Sequence, residues 1–243
     1  MSWIGLLLVG LGVTDLVFSV HPSRHLPEAV GALVVVVLGL LADLTAPRDL
    51  LALAVLAAAV VAWGQAVTRG FRSGRAWVPL LVLLTSLAAV VVLAPLAGHA
   101  GGAFGRWVEA SPLPVLEGLT ADGALVLAGV VLVQLSTGNV FVRLVLAATH
   151  TVNPARDGTS ADPATRLKGG RLLGPIERLF ILVLGLSGEV TAASIVVAAK
   201  GLLRFPELQS RRDQERIHRL TEYFLVGSFV SWLVALAGLL LVS

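Results

Sequence analysis

The chain has 243 residues, 56% of them hydrophobic and 14% charged, with a net charge of +3. Its mean hydropathy of +0.90 excludes an ordinary soluble globular composition, and several apolar runs are long enough to cross a ~30 Å hydrocarbon core. There is no cysteine, which excludes disulfides, thiolate metal sites and a cysteine nucleophile. The basic residues flank apolar runs instead of forming a patch with interleaved aromatics, so the pI of 10.2 points to membrane orientation and not to nucleic acid.

Met1–Val20 reads as a first, uncleaved span, with no basic segment before it and no small-residue cleavage site after it. Asp15 lies near its end and reads as an acid at the interface, with a buried polar site as the alternative. His21 and His25 have a spacing that could pair two imidazoles on a helix, but Pro22 and Pro27 favour a loop and no HExxH glutamate is present, so no metal site is assigned. Glu28–Leu44 is a second span that starts after Pro27, a residue suited to a first helical turn. Leu50–Val67 is a third, with Thr45 as its expected N-cap and Gln65 at its far edge. Arg69, Arg72 and Arg75 then form an acid-free basic loop, the strongest orientation signal in the chain, which is placed in the cytoplasm.

Trp77–Ala97 is a fourth span. The acidic segment that follows, with Glu109, Glu117 and Asp122, suits the outer side. Phe104–Leu116 would lie there along the interface, anchored by Trp107. Ala124–Thr149 is a fifth span, interrupted by the polar run from Gln134 to Asn139. That run reads as a packing face, a kink or a polar site at depth. Residues 151–171 form a polar cytoplasmic loop. Its Asp157 and Asp162 resemble an aspartate-rich magnesium–diphosphate motif only partly, the third spacing being wrong.

The C-terminal segment, 172–243, carries the least ordinary stretch. Between 171 and 205 it is long and apolar, yet it holds Glu177, Arg178, Glu189 and Lys200. Each such group costs about 2.5–3.5 kcal/mol on membrane insertion, so it tends to persist where it has a partner or a use. Read as one helix, Arg178, Glu189 and Lys200 recur every eleven residues and share one stripe with Gly174 and Gly185. Glu189 then faces the bundle interior, Glu177 and Arg178 pair locally at the interface, and the two cations mark the membrane borders. Cations on both sides of 174–204 raise the alternative of a broken, re-entrant segment. A charged connector then leads into the last span, Tyr223–Val242.

The pieces Gly170–Gly174, Ile176–Leu179, Ala198–Lys200, Arg204-Phe205 and Glu222–Gly227 resemble an uncharacterised family of bacterial inner-membrane proteins, a domain of unknown function, over roughly residues 170–230. The resemblance implies a bacterial inner-membrane location, which fits a cation set in which only Lys168 and Lys200 are lysine. It implies no established activity. Where such families carry Gly-Gln, this chain has Gly188-Glu189; where they carry a His-x3-Asp pair on the first helix, Leu11 stands before Asp15, so no metal site follows.

The expected fold is an all-α, polytopic transmembrane bundle of about seven spans. Its N-terminal bundle is 1–150, followed by the loop 151–171 and the C-terminal segment 172–243, with a kinked or re-entrant helix at 174–204. Transport or binding of an ion or small ligand is the leading reading, with Glu177, Arg178, Glu189 and Lys200 as binding candidates and Asp15, Gln134 and Asn139 behind them. The alternatives are a structural subunit that pairs with a membrane protein or a second copy, and an enzyme on a lipid-linked substrate. No catalytic residue, metal or cofactor is assigned, and the lipid bilayer is the expected partner.

Overall fold

The computed structural model describes residues 1–23, 25–149, 151, 170–189, 191–195, 198–199 and 214–243. Among these the protein is helical, with no strands. The principal helices are α1 (Ser2–Val20), α2 (Leu26–Leu41), α3 (Pro47–Ser73), α4 (Trp77–Leu93), α5 (Gly102–Ala110), α6 (Ala121–Leu135), α7 (Thr137–Ala148), α8 (Gly170–Leu186) and α9 (Gln214–Val242). Four described helices are long and apolar enough to cross a membrane: α1, α3, α4 with the short turn after it, and α9. The count rises to five if α6 and α7, separated by Ser136, make one crossing. The expected total of seven is therefore not reached among the described residues, partly because α2 spans only 16 residues.

The chain forms two compact units, 1–137 and 138–241. In the first, α1 is the centre. It is buried continuously from Ser2 to Gly12 and packs against α2, α3 and α6. A helix that is apolar all round belongs in the middle of a bundle. Small residues bring α6 onto it: a Cβ on Gly129 would lie 2.6 Å from Leu8 Cβ and 2.9 Å from the Gly5 carbonyl oxygen. Such close approach is how helices pack where lipid removes the hydrophobic drive between them. Helix α4, by contrast, leaves Leu81, Leu84, Val91 and Val92 exposed, as a lipid-facing helix should.

One end of this unit is closed by the loop after α4. Ser2 Oγ donates to the Gly98 carbonyl (2.6 Å), and the Gly98 amide donates to Asp49 Oδ1 (3.0 Å), which also accepts from Trp3 Nε1 (3.1 Å). Ala100 N donates to Asp122 Oδ1 (3.0 Å), His99 Nδ1 lies 3.1 Å from Asp122 Oδ2, and Gly101 N donates to the Ala42 carbonyl (2.8 Å). The loop thus ties together the starts of α1, α3 and α6 and the end of α2. Helix α5 follows it, with Gly105 and Val108 buried and Trp107 exposed, the amphipathic arrangement expected for Phe104–Leu116.

Two boundaries differ from the sequence reading. Helix α3 begins at Pro47 with Ala46, not Thr45, in the N-cap position, and it runs on through Arg69 and Arg72 to Ser73. Nothing in 68–73 breaks a helix; the stop is Gly74, in the left-handed region at φ 71°. The fifth span is two helices, because at Ser136 the backbone leaves helical geometry (φ −126°, ψ −70°) and the Ser136 hydroxyl donates to the Gly12 (2.7 Å) and Leu132 (2.8 Å) carbonyls.

In the second unit α7, α8 and α9 pack on one another. Gly185 leaves room for Leu239, whose Cδ2 would lie 2.6 Å from an added Cβ, and Gly227 faces Leu146 and Val142. Through 174–204 the sequence left open one kinked crossing or a re-entrant pair broken near Gly185–Gly188, and among the described residues there is a break at that place. Helix α8 stops at Leu186, Ser187 and Gly188 make a turn, and Gly188 takes a left-handed φ of 77°. Helical structure resumes at 191–195.

Candidate functional site

The break after Leu186 dissolves the eleven-residue stripe. Glu189 lies beyond the end of α8 and is exposed, with its amide donating to the Leu184 carbonyl (2.8 Å), instead of facing an interior from mid-helix. A stripe through Arg178 and Glu189 requires one uninterrupted helix, and Gly188 is the residue that ends it. Lys200, Asp157 and Asp162 lie outside the described residues.

Arg178 and Glu177 are both buried within the protein. Arg178 is 1% exposed and sits between α7 and α9, its Nη1 donating to Ser231 Oγ (3.2 Å) and its Nη2 to Asn139 Oδ1 (2.9 Å). Glu177 is buried too and accepts from Trp232 Nε1 (2.8 Å). Gly138 and Gly174 make the room: a Cβ on Gly138 would lie 2.7 Å from Arg178 Nε, and one on Gly174 would lie 3.2 Å from Asn139 Oδ1. The polar run after Gln134 therefore serves partly as a seat for an arginine. Two of the sequence candidates, Arg178 and Asn139, come together, and the centre they build joins three helices.

A second centre lies in the N-terminal unit, at the end opposite the tied loop. Asp15 is 7% exposed, and both its oxygens accept from Trp63 Nε1, at 3.1 and 3.3 Å. Thr137 stands near the same carboxylate without closing a geometrically good hydrogen bond. Gln134 is fully buried on α6. One helical position from Trp63 is Gly64, and the space its missing Cβ leaves is taken by Glu28 of α2. An added Cβ would overlap Glu28 Cγ and lie 3.1 Å from Cδ and Oε1. Glu28 is 6% exposed, and its Oε2 is buried without a hydrogen-bond partner. On the α1 side, Thr14 fits against Gly31, one turn along α2 from Glu28. The contacts Asp15–Trp63, Glu28–Gly64 and Thr14–Gly31 thus set the two acids in one layer where α1, α2 and α3 meet.

Glu28 is the residue that sequence reading passed over. It occupies the third position of α2, where an acid usually reaches back to the N-cap amide in a capping box. The N-cap is His25, which makes no side-chain cap bond, and Glu28 turns instead into the contact with α3. The available signal was weak: an N3 glutamate without a Ser or Thr three residues before it.

One device recurs in both units. Three of the five tryptophans, Trp3, Trp63 and Trp232, donate their indole N–H to a buried carboxylate, of Asp49, Asp15 and Glu177 respectively. An indole N–H is a donor on an otherwise apolar ring, so it supplies a hydrogen bond to a buried acid while packing as a large hydrophobic side chain. Among the described residues no group of three His, Asp or Glu side chains is placed to hold a metal ion. No protein-family model matches this chain, and neither a curated protein nor a solved structure is similar to it.

Proposed function

We propose that this is a multi-pass protein of a bacterial inner membrane, with about seven crossings, that binds and transfers an ion or small ligand. The working centre is the pair of carboxylates buried among α1, α2 and α3. The observation that carries the reading is Glu28, a largely buried carboxylate whose Oε2 has no hydrogen-bond partner. An unpaired acid in such a place costs more than almost any other side chain. A structural role offers no return for that cost, whereas reversible occupation by a ligand does.

The centre also has a direction. The far end of the unit is tied shut by the loop through Gly98, while Glu28 lies one turn from the exposed His25 and at the same end as Arg69 and Arg72 of α3. Assembly with a partner protein, the competing reading, drew on the opposite charges Arg178, Glu189 and Lys200 along one helix face. Arg178 has acceptors inside its own unit, so the site reading is favoured here over the partner reading. The test is flux. Purified full-length chain in sealed liposomes should move protons, sodium or potassium down an imposed gradient, and Glu28→Gln at equal incorporation should abolish most of the movement. Flux of none of these ions, or flux unchanged by the substitution, would overturn the reading.

A further inference from the structure

We propose that the turn between α3 and α4 is a binding site for the headgroup of an anionic phospholipid, its phosphate held by Arg69, Arg72 and Arg75. The proposal rests on the membrane part of the functional reading and not on ion transfer.

The two faces of the membrane can be located on this unit. Helix α4 with its terminal turn is 20 residues long, Trp77–Leu96. At 1.5 Å per residue that is about 30 Å, the thickness of a hydrocarbon core. The two tryptophans outside the carboxylate contacts, Trp77 and Trp107, are each 57% exposed. Trp77 opens α4, and Trp107 lies on α5, beyond the other end of α4. Exposed indoles collect at membrane–water interfaces, so this pair marks the two headgroup layers. The layers differ in charge. Near Trp107 the exposed acids Glu109 and Glu117 outnumber Arg106. Near Trp77 there are three exposed arginines, and the stretch 69–78 contains no acid.

Packing places the arginines at that depth. Gly70 sits against the start of α4: an added Cβ would lie 3.0 Å from Pro79 Cδ and 3.2 Å from the Arg75 carbonyl oxygen. The last turn of α3 is therefore level with the first turn of α4, and Arg69 and Arg72, three residues apart on α3, stand level with Trp77. Gly74 turns the chain with a left-handed φ of 71°, and Arg75 follows it, its carbonyl accepting from the Val78 amide (3.2 Å). Among the described residues none of the three arginines has a carboxylate partner, and Arg69 Nη1 donates to Gln65 Oε1 (3.0 Å).

A guanidinium can give two parallel hydrogen bonds to one phosphate, which makes arginine the residue suited to this anion. A soluble phosphate offers the same oxygens. It has no acyl chain, however, for the exposed Phe71 and Trp77 to meet, and a phospholipid has both parts. The basic turn beside exposed aromatic rings thus matches an anionic lipid at its headgroup and its first methylenes.

The experiment follows tryptophan fluorescence of the full chain in phosphatidylcholine vesicles while brominated phosphatidylcholine or brominated phosphatidylglycerol, both quenchers, replaces the ordinary lipid. The Trp77 share is the difference between wild type and Trp77→Phe. The expected result is stronger quenching of Trp77 by phosphatidylglycerol. Its association relative to phosphatidylcholine should fall about fivefold in Arg72→Gln and roughly 100-fold when all three arginines become glutamine. It should be unchanged in Arg106→Gln, which removes one charge at the other face. Equal quenching by the two lipids, a preference kept in the triple variant, or an equal loss in Arg106→Gln would overturn the proposal. Displacement of phosphatidylglycerol by glycerol phosphate in solution would assign the arginines to a soluble phosphate and overturn it too. Quenching by neither lipid would overturn the membrane reading with it, whereas ion flux without a lipid preference would remove the proposal alone.

Discussion

The contact between Gly64 and Glu28 makes a quantitative prediction. An alanine at 64 places its Cβ on Glu28 Cγ and 3.1 Å from Cδ and Oε1, so the glutamate must leave its seat between α2 and α3. Forcing an extra methyl into a packed interior costs about 1–3 kcal/mol. Alanine is the better helix former by about 0.8–1 kcal/mol, which partly offsets this. Gly64→Ala alone should therefore lower stability by about 0–2 kcal/mol. In a Glu28→Ala background the obstructing atoms are gone, and the same change should raise stability by about 1 kcal/mol. The double-mutant cycle should report a coupling of about 1–3 kcal/mol. Equilibrium unfolding in mixed micelles measures all four corners. Gly64→Ala effects of the same sign and size in both backgrounds would refute the packing described for Glu28.

Two further predictions concern the other polar contacts. Trp63→Phe keeps an aromatic ring but leaves Asp15 buried without its donor, and should destabilise the chain by about 1–3 kcal/mol, most of which Asp15→Asn should relieve in the double variant. Micelle unfolding reads this directly, and additivity of the two changes would contradict it. Gly138→Ala puts a Cβ 2.7 Å from Arg178 Nε and 2.8 Å from Cζ, against a rigid guanidinium, and should cost about 1–3 kcal/mol. Arg178→Met should soften that loss, and an equal loss in both backgrounds would show that Gly138 serves another purpose.

The long apolar helices were legible in the sequence because length and hydropathy are local properties. Residues 1–20, 77–97 and 223–242 became α1, α4 with its terminal turn, and the body of α9 with small boundary shifts. The amphipathic α5 was readable for the same reason, with Trp107 exposed and Val108 buried. The stripe failed because it assumed helical continuity across Gly188, whose left-handed backbone carries no apolar signature. The two polar centres were out of reach for a different reason. Asp15 meets Trp63 across 48 residues and Arg178 meets Ser231 across 53, so each acid or cation looked unpaired until the helices were assembled. Glu28 was hidden by an ordinary position at the start of a helix.

The central claim is that the buried acids of the N-terminal unit do the work, while the Arg178 centre holds α7, α8 and α9 together. The measurement that tests it most directly is flux of protons, sodium or potassium in sealed liposomes, comparing wild type, Glu28→Gln and Asn139→Ala at matched incorporation and verified folding. The account predicts flux in the wild type, loss of most of it in Glu28→Gln, and near-normal flux in folded Asn139→Ala, whose defect should be in stability. Normal flux in Glu28→Gln with loss in folded Asn139→Ala would contradict it and move the working site to Arg178.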